Sequence, residues 1–344
     1  MVRITAILTA LLAFAPAALA ADSWTEIFRD WQATCFPDGG CEASTGDQGP
    51  TAGGDTLRLI VERTSPESEG WFVAIEFHQA PARPDRAITL TVSDHGQIVL
   101  QSDGLKTYRG PYRYYVTDPD SLDALLPALL AGDGVQIDYF DVTNEARTYL
   151  LSLSGVSASF LWIEEQMDIT GAPRLAIPAT GLTEPAPDPA VAIREAGLPE
   201  AVRAHHERTS SCEIYGDARL EDLGMAIELL SDTQILYALP CTAHAYNVTY
   251  RLYLREIGEI GGIRTLYFAD YSDSTYWTGT DILFNVTVEG KWLTALYKGR
   301  GLGDCGSLGE WSWQEHDYRL EHFSVQEECD GAQPDDWPVV FPVH

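Results

Sequence analysis

The residues most suggestive of chemistry lie near the C-terminus, in Lys298-Gly-Arg-Gly-Leu-Gly-Asp-Cys-Gly306. Its glycines free the backbone for positive φ, so that successive amide N–H groups can converge on an anion. Lys298 and Arg300 add positive charge. A phosphate loop, however, runs from a strand into a helix N-terminus, whereas a cysteine and a tryptophan-bearing strand follow here. The spacing reads first as a tight loop anchored by Cys305. It reads second as a ligand-facing loop built from Lys298, Arg300, Gly301, Gly303 and Asp304. Trp311 and Trp313 stand two apart, so a strand puts both on one face. There they either close the core of a small β unit or form a platform that stacks on a sugar ring or a partner's side chain.

Other chemistries leave weaker traces. The eight histidines show no metal-ligand spacing, and the adjacent pair His205-His206 points about 100° apart on a helix. No Gly-x-Ser-x-Gly elbow occurs. With 51 acidic residues, carboxylate pairs arise by chance, and Glu164-Glu165 and Glu327-Glu328 read as solvated faces. Asp270-Tyr-Ser-Asp273 and Asp118-Pro-Asp120 offer oxygen ligands for Ca²⁺ without the twelve-residue loop pattern. The Asn247-Val-Thr and Asn285-Val-Thr sequons matter only in a host that glycosylates. No catalytic residue, metal or cofactor is expected.

Charge and sulfur narrow the class. Acidic residues outnumber the 22 basic ones to give a formal charge of −29. That excludes a nucleic-acid binder, which needs basic surface to displace phosphate counterions, and disfavours anionic lipid. Hydrophobic residues at 45% rule out a disordered acidic tail. A short basic start, an apolar run from Ile4 to Leu19 and Ala18-Leu-Ala20 match a secretory signal cleaved after Ala20. Nothing later is long and apolar enough to span a bilayer. Six cysteines in an exported chain read as disulfides. Fifteen connectivities exist, and spacing favours Cys35–Cys41, Cys305–Cys329 and the remaining Cys212–Cys241.

These loops need elements to hold them. Short alternating runs predict strands at 56–62, 71–77, 87–92, 97–100, 135–140 and 146–153. Helices are predicted from Asp120 to Leu130 or Ala131, capped by Asp118 or Asp120 and kinked or split at Pro127, and from Val156 to Gln166. Five prolines between 178 and 200 mark a linker, with short helices at 190–196 and 200–206. Further strands are predicted at 225–230, 234–239, 248–254, 265–269, 283–288, 292–297, 311–313 and 318–320. The expected plan is mainly β: a signal at 1–20, a β-rich domain at 21–178, a Pro/Ala-rich linker at 179–200 and a second disulfide-containing β-rich domain at 201–344.

Several motifs together resemble a known family. They are Asp30-Trp-x-x-x-Cys35, Leu151-Ser-Leu-Ser-Gly-x-Ser-Ala158, Pro240-Cys-x-x-x-Ala-Tyr-Asn247, the Lys298–Gly306 block, Trp311-x-Trp313, Glu327-Glu-Cys329 and Trp337-Pro338. The chain resembles the proteobacterial exported domain-of-unknown-function family numbered eleven-seventy-six over its whole mature length. Its first half is also similar to the invasion-associated locus B proteins, which implies a β-sandwich in the periplasm. One departure is Cys35-Phe36-Pro37, where those proteins carry Cys-Asp-Asn. The resemblance implies no activity. The function expected is therefore a non-enzymatic periplasmic module that binds a protein or envelope component. Its rivals are a hydrolase inhibitor presenting the Cys35–Cys41 loop and an envelope hydrolase with an interdomain site built on Arg300 and Asp304.

Overall fold

The computed structural model describes residues 23–49, 56–108, 112–179, 188–213, 217–258 and 261–342. The expected signal segment and residues 180–187 of the expected linker lie outside them.

The first half comprises β1 (Trp24–Phe28), β2 (Trp31–Cys35), β3 (Cys41–Gly46), β4 (Leu57–Arg63), β5 (Phe72–Phe77), β6 (Ile88–Val92), β7 (Gly96–Leu100), β8 (Leu105–Thr107), β9 (Arg113–Val116), α1 (Pro119–Ala131), β10 (Gly134–Phe140), β11 (Ala146–Ser152) and α2 (Val156–Gln166). Alternation decides which face each strand buries. Leu57, Leu59 and Val61 of β4 point into the core, while Arg58 and Glu62 point away and join an ion network around Arg113. A seven-stranded antiparallel sheet, β1-β2-β3-β4-β5-β9-β8, faces a four-stranded one, β11-β10-β6-β7. Leu59, Leu90 and Ile137 from the two sheets meet Leu125 of α1 and Phe160 of α2 in one core. This is a sandwich with helices in its walls.

Both helices start where the sequence reading put them, to within a residue. The Asp118 carboxylate accepts the Ser121 N–H at the start of α1, and Gly132 ends it. The expected split at Pro127 is absent. Pro127 and Asp123, whose carbonyl loses its helical partner, are both exposed residues, and α1 continues through them.

The second half comprises α3 (Pro189–Ala196), α4 (Glu200–Thr209), α5 (Asp217–Asp222), β12 (Ala226–Ser231), β13 (Gln234–Ala243), β14 (Val248–Glu256), β15 (Gly262–Thr265), β16 (Phe268–Ser272), β17 (Tyr276–Thr280), β18 (Leu283–Phe284), β19 (Val286–Glu289), β20 (Trp292–Lys298), β21 (Gly306–Gln314), β22 (Asp317–Gln326) and β23 (Val339–Phe341). One sheet runs β12-β13-β14-β15 with β18 also on β14, and the other runs β19-β20-β21-β22-β23. They share a core of Leu236, Leu252, Leu293, Trp311 and Phe323. The hairpin β16–β17 packs over β22 through Trp277, whose ring lies 5.6 Å from that of Phe323.

Two expected strands are each two. The run at 265–269 splits because Leu266 donates to Leu252 O on β14 while Phe268 begins the hairpin. The run at 283–288 breaks at Asn285, whose φ of 43° passes the chain from one sheet to the other.

β13 is apolar on both faces, because each is covered. Leu236 and Ala238 join the core between sheets, while Ile235, Tyr237 and Leu239 meet Ala192 and Ile193 of α3, Val202 of α4 and Val142 from the first half. The end of the expected linker is thus packed helix. Polar contacts seal the same junction: Arg83 donates to Ile257 O at 2.6 Å, and Glu145 accepts the Ala201 N–H at 2.9 Å and pairs with Arg255 at 3.4 Å.

Candidate functional site

The glycine loop joins β20 to β21, whose pairing closes at Lys298 opposite Gly306. Gly306 has φ 143°, and a Cβ there would sit 1.8 Å from Tyr297 O, so no other residue fits. Gly303, at φ 69°, closes a turn by donating to Arg300 O at 2.9 Å. Two of the loop's three charges, Arg300 and Asp304, neutralise each other. Arg300 Nε donates to Asp304 Oδ1 at 2.7 Å, its Nη2 reaches Oδ2, and the same nitrogen donates to Cys329 O at 3.2 Å. That guanidinium holds the Asp304 carboxyl below the usual carboxylate range. Gly299 spends its N–H on Cys305 O, Gly301 faces the edge of Tyr246, and Leu302 is exposed at the tip. Of the groups expected to hold an anion, Arg300 and the Gly299 and Gly303 N–H groups are engaged within the loop. Asp304, Cys305 and Cys329 are close enough to ligate a metal, but both sulfurs are joined in a disulfide and the carboxylate belongs to Arg300.

Of the two readings of the tryptophan pair, core closure is the one the burial fits. Trp311 and Trp313 share a face, as their spacing requires, but that face is the core side of the sheet, and they are 2% and 5% exposed. Trp311 meets Phe268 edge-on at 5.4 Å, and Trp313 meets Tyr318 at 5.2 Å. All three expected disulfides are present. Cys212 lies in the segment after α4, not on a strand, and ties it to β13.

Two asparagines fasten the loop to the neighbouring sheet. Asn247 Oδ1 accepts the Lys298 N–H at 3.1 Å and Asn247 Nδ2 donates to Lys298 O at 2.9 Å. Asn285 Nδ2 donates to Asn247 Oδ1 and to Leu296 O, each at 2.8 Å. Both sequon asparagines therefore work inside the fold. The Pro-Cys…Tyr-Asn and Lys298–Gly306 motifs, some fifty residues apart, meet in this clamp.

What the clamp and loop border is a cleft of about 690 Å³ between β16 and the sheet β19–β23. Gly299, Gly306 and the Cys305–Cys329 disulfide line one end. Trp311 and Phe323 line the base, and Tyr271, Phe284 and Tyr297 present further rings. Phe284 and Tyr297 pack at 4.9 Å. Asp270 shares a strand face with Phe268, which packs on Trp311, and enters the lining beside these rings. Burial raises its carboxyl above the usual range, and the Tyr271 amide only partly offsets this. Glu327, the second acid, accepts the Asp273 N–H at 3.2 Å and so ties the hairpin turn to the end of β22. Loss of solvation, then the carboxylates of Asp273 and Glu327, raises the Tyr271 hydroxyl as well. Asp270 was visible in the sequence only as part of a weak calcium pattern. Its actual surroundings come from strands more than fifty residues apart.

Elsewhere the expected loops are less open to chemistry. The Cys35–Cys41 turn is a tight hairpin tip, with Phe36 N–H donating to Gly40 O at 2.8 Å. His205 and His206 both lie edge-on to Tyr253, and His206 Nδ1 bonds its hydroxyl at 2.8 Å. Asp118 caps a helix. The partners of Arg300 and Asp304 all lie in the second half, so that pair does not build a site at the junction.

The fold and cleft define a disulfide-braced, antiparallel β protein with an aromatic and acidic recess in its second half. Among the described residues, no helix is long and apolar enough to cross a membrane. The chain belongs to the family described as Protein of unknown function (DUF1176), whose model matches residues 25–344. It is 25% identical over 331 residues to the Uncharacterized protein YpfG of Escherichia coli (strain K12), covering 91% of each chain. No solved structure matches.

Proposed function

We propose that the protein is an exported, non-catalytic binding module of the cell envelope. Its signal is removed after Ala20, residues 21–178 form a sandwich like that of the invasion-associated locus B proteins, and residues 179–200 connect it to the unit at 201–344. Three disulfides are consistent with export. The observation that carries the binding reading is the cleft itself, of a size that holds a small ligand and lined by rings with a few polar groups. The glycine loop acts as its structural rim. The test is native mass spectrometry of mature protein taken from its own envelope. A small molecule should travel with the wild type and be lost from Ala295→Trp, which fills the cleft. Retention by the filled variant would move the site elsewhere.

A second reading rests on Asp270. A carboxyl raised by burial, with Glu327 in the same cleft, is the pairing that glycoside hydrolysis uses. Release of reducing ends from envelope glycan by the wild type, abolished in Asp270→Asn, would replace the binding reading with this one.

A further inference from the structure

We propose that the cleft takes an organic cation, an ammonium or guanidinium group carried on an apolar or aromatic body. This rests on the binding reading above and names the ligand it would serve. The lining divides into rings and acids. Tyr271, Phe284 and Tyr297 present partly exposed rings to the space, Trp311 and Phe323 lie buried behind its floor, and Asp270 and Glu327 supply its charge. Among the described residues, no lysine, arginine or histidine lines it. Of the loop's two cations, Arg300 is engaged by Asp304, and Lys298 alternates with the lining residues Tyr297 and Gly299.

Three physical arguments select the cation. Ring faces carry negative quadrupole density and attract positive charge most strongly where water is thin. A part-buried carboxylate with a single backbone donor is left short of positive partners, and a cation satisfies it more fully than a neutral hydroxyl does. The formal charge of −29 gathers cations around the whole molecule and repels anions. An anionic ligand would meet two carboxylates and no compensating side chain. A neutral sugar would find acceptors and rings but leave Asp270 unneutralised.

The experiment is isothermal titration calorimetry of the mature protein with phenethylammonium. The uncharged 2-phenylethanol and the anionic 3-phenylpropionate serve as matched probes. The cation should bind roughly tenfold more tightly than the alcohol, and the anion should not bind. Asp270→Asn should bring the cation to the alcohol's affinity while leaving the alcohol unchanged, with near-ultraviolet circular dichroism confirming the fold. Ala295→Trp should abolish both. Cation affinity should rise with pH as Asp270 ionises, above the ordinary range for an aspartate. Equal affinities for cation and alcohol, or full cation binding by Asp270→Asn, would overturn the proposal. If neither probe binds while a native ligand is still lost on filling the cleft, the cation assignment falls and the binding reading stands.

Discussion

Ionised Asp270 works against the fold that holds it. Its carboxyl is raised by burial, so the native state keeps its proton more tightly than the unfolded chain does. The penalty is absent below the unfolded pKa and grows as pH rises through the folded one. Asp270→Asn should therefore raise Tm at neutral pH, and the difference should vanish near pH 3. Unchanged melting at neutral pH would show that the carboxylate is well solvated after all. Asn247 behaves oppositely. It is 6% exposed and satisfies both main-chain groups of Lys298 as well as Asn285. Asn247→Ala should cost about 2–3 kcal/mol, read by denaturant unfolding, and a loss under about 0.5 kcal/mol would mean the clamp is dispensable. At this scale the sequence was a poor guide. Arg300 and Asp304 looked like a site because glycine surrounds them, yet ion pairing consumes both. Asp270 looked ordinary because its rings arrive from Trp311 and Phe323.

Among elements, alternation was the readable signal. β4, β10 and β13 were found to within a few residues because burial on one or both faces dictates their side chains. β1 was missed because Trp24 and Ile27 lie exposed at a sheet edge and leave no clear pattern. β22 runs from Asp317 to Gln326, but His322, Ser324 and Gln326 hide its period. Where a strand changes sheets, as at Asn285, composition carries no mark. The disulfides were legible from spacing, and they should not be equal in effect. Cys212–Cys241 closes a span of 29 residues, whereas Cys35–Cys41 closes six across an already paired hairpin. By chain entropy, replacing the first pair with serine should cost about 3.5 kcal/mol and the second about 2 kcal/mol. Denaturant midpoints of the two double variants check the order, and the reverse order would point to enthalpic effects.

For the whole molecule, the acidic excess sets the response to salt. A formal charge of −29 repels itself, and added ions screen that repulsion. Tm should climb between about 10 mM and about 150 mM NaCl. A flat or falling Tm would show that ion pairs such as Arg113 with Glu42 and Glu76 outweigh the excess. The mainly β class expected from the sequence matches the antiparallel sheets. What the sequence concealed is how closely the two halves abut, since Val142 and Tyr112 join a cluster made otherwise by residues from 192 onward.

The bond between Cys305 and Cys329 borders both the glycine loop and the cleft. In a chain whose thiols are still reduced, nothing covalent ties the two sides of that end together. If the recess holds a ligand as proposed, reducing this bond should weaken capture, and oxidation would then set when the protein becomes competent.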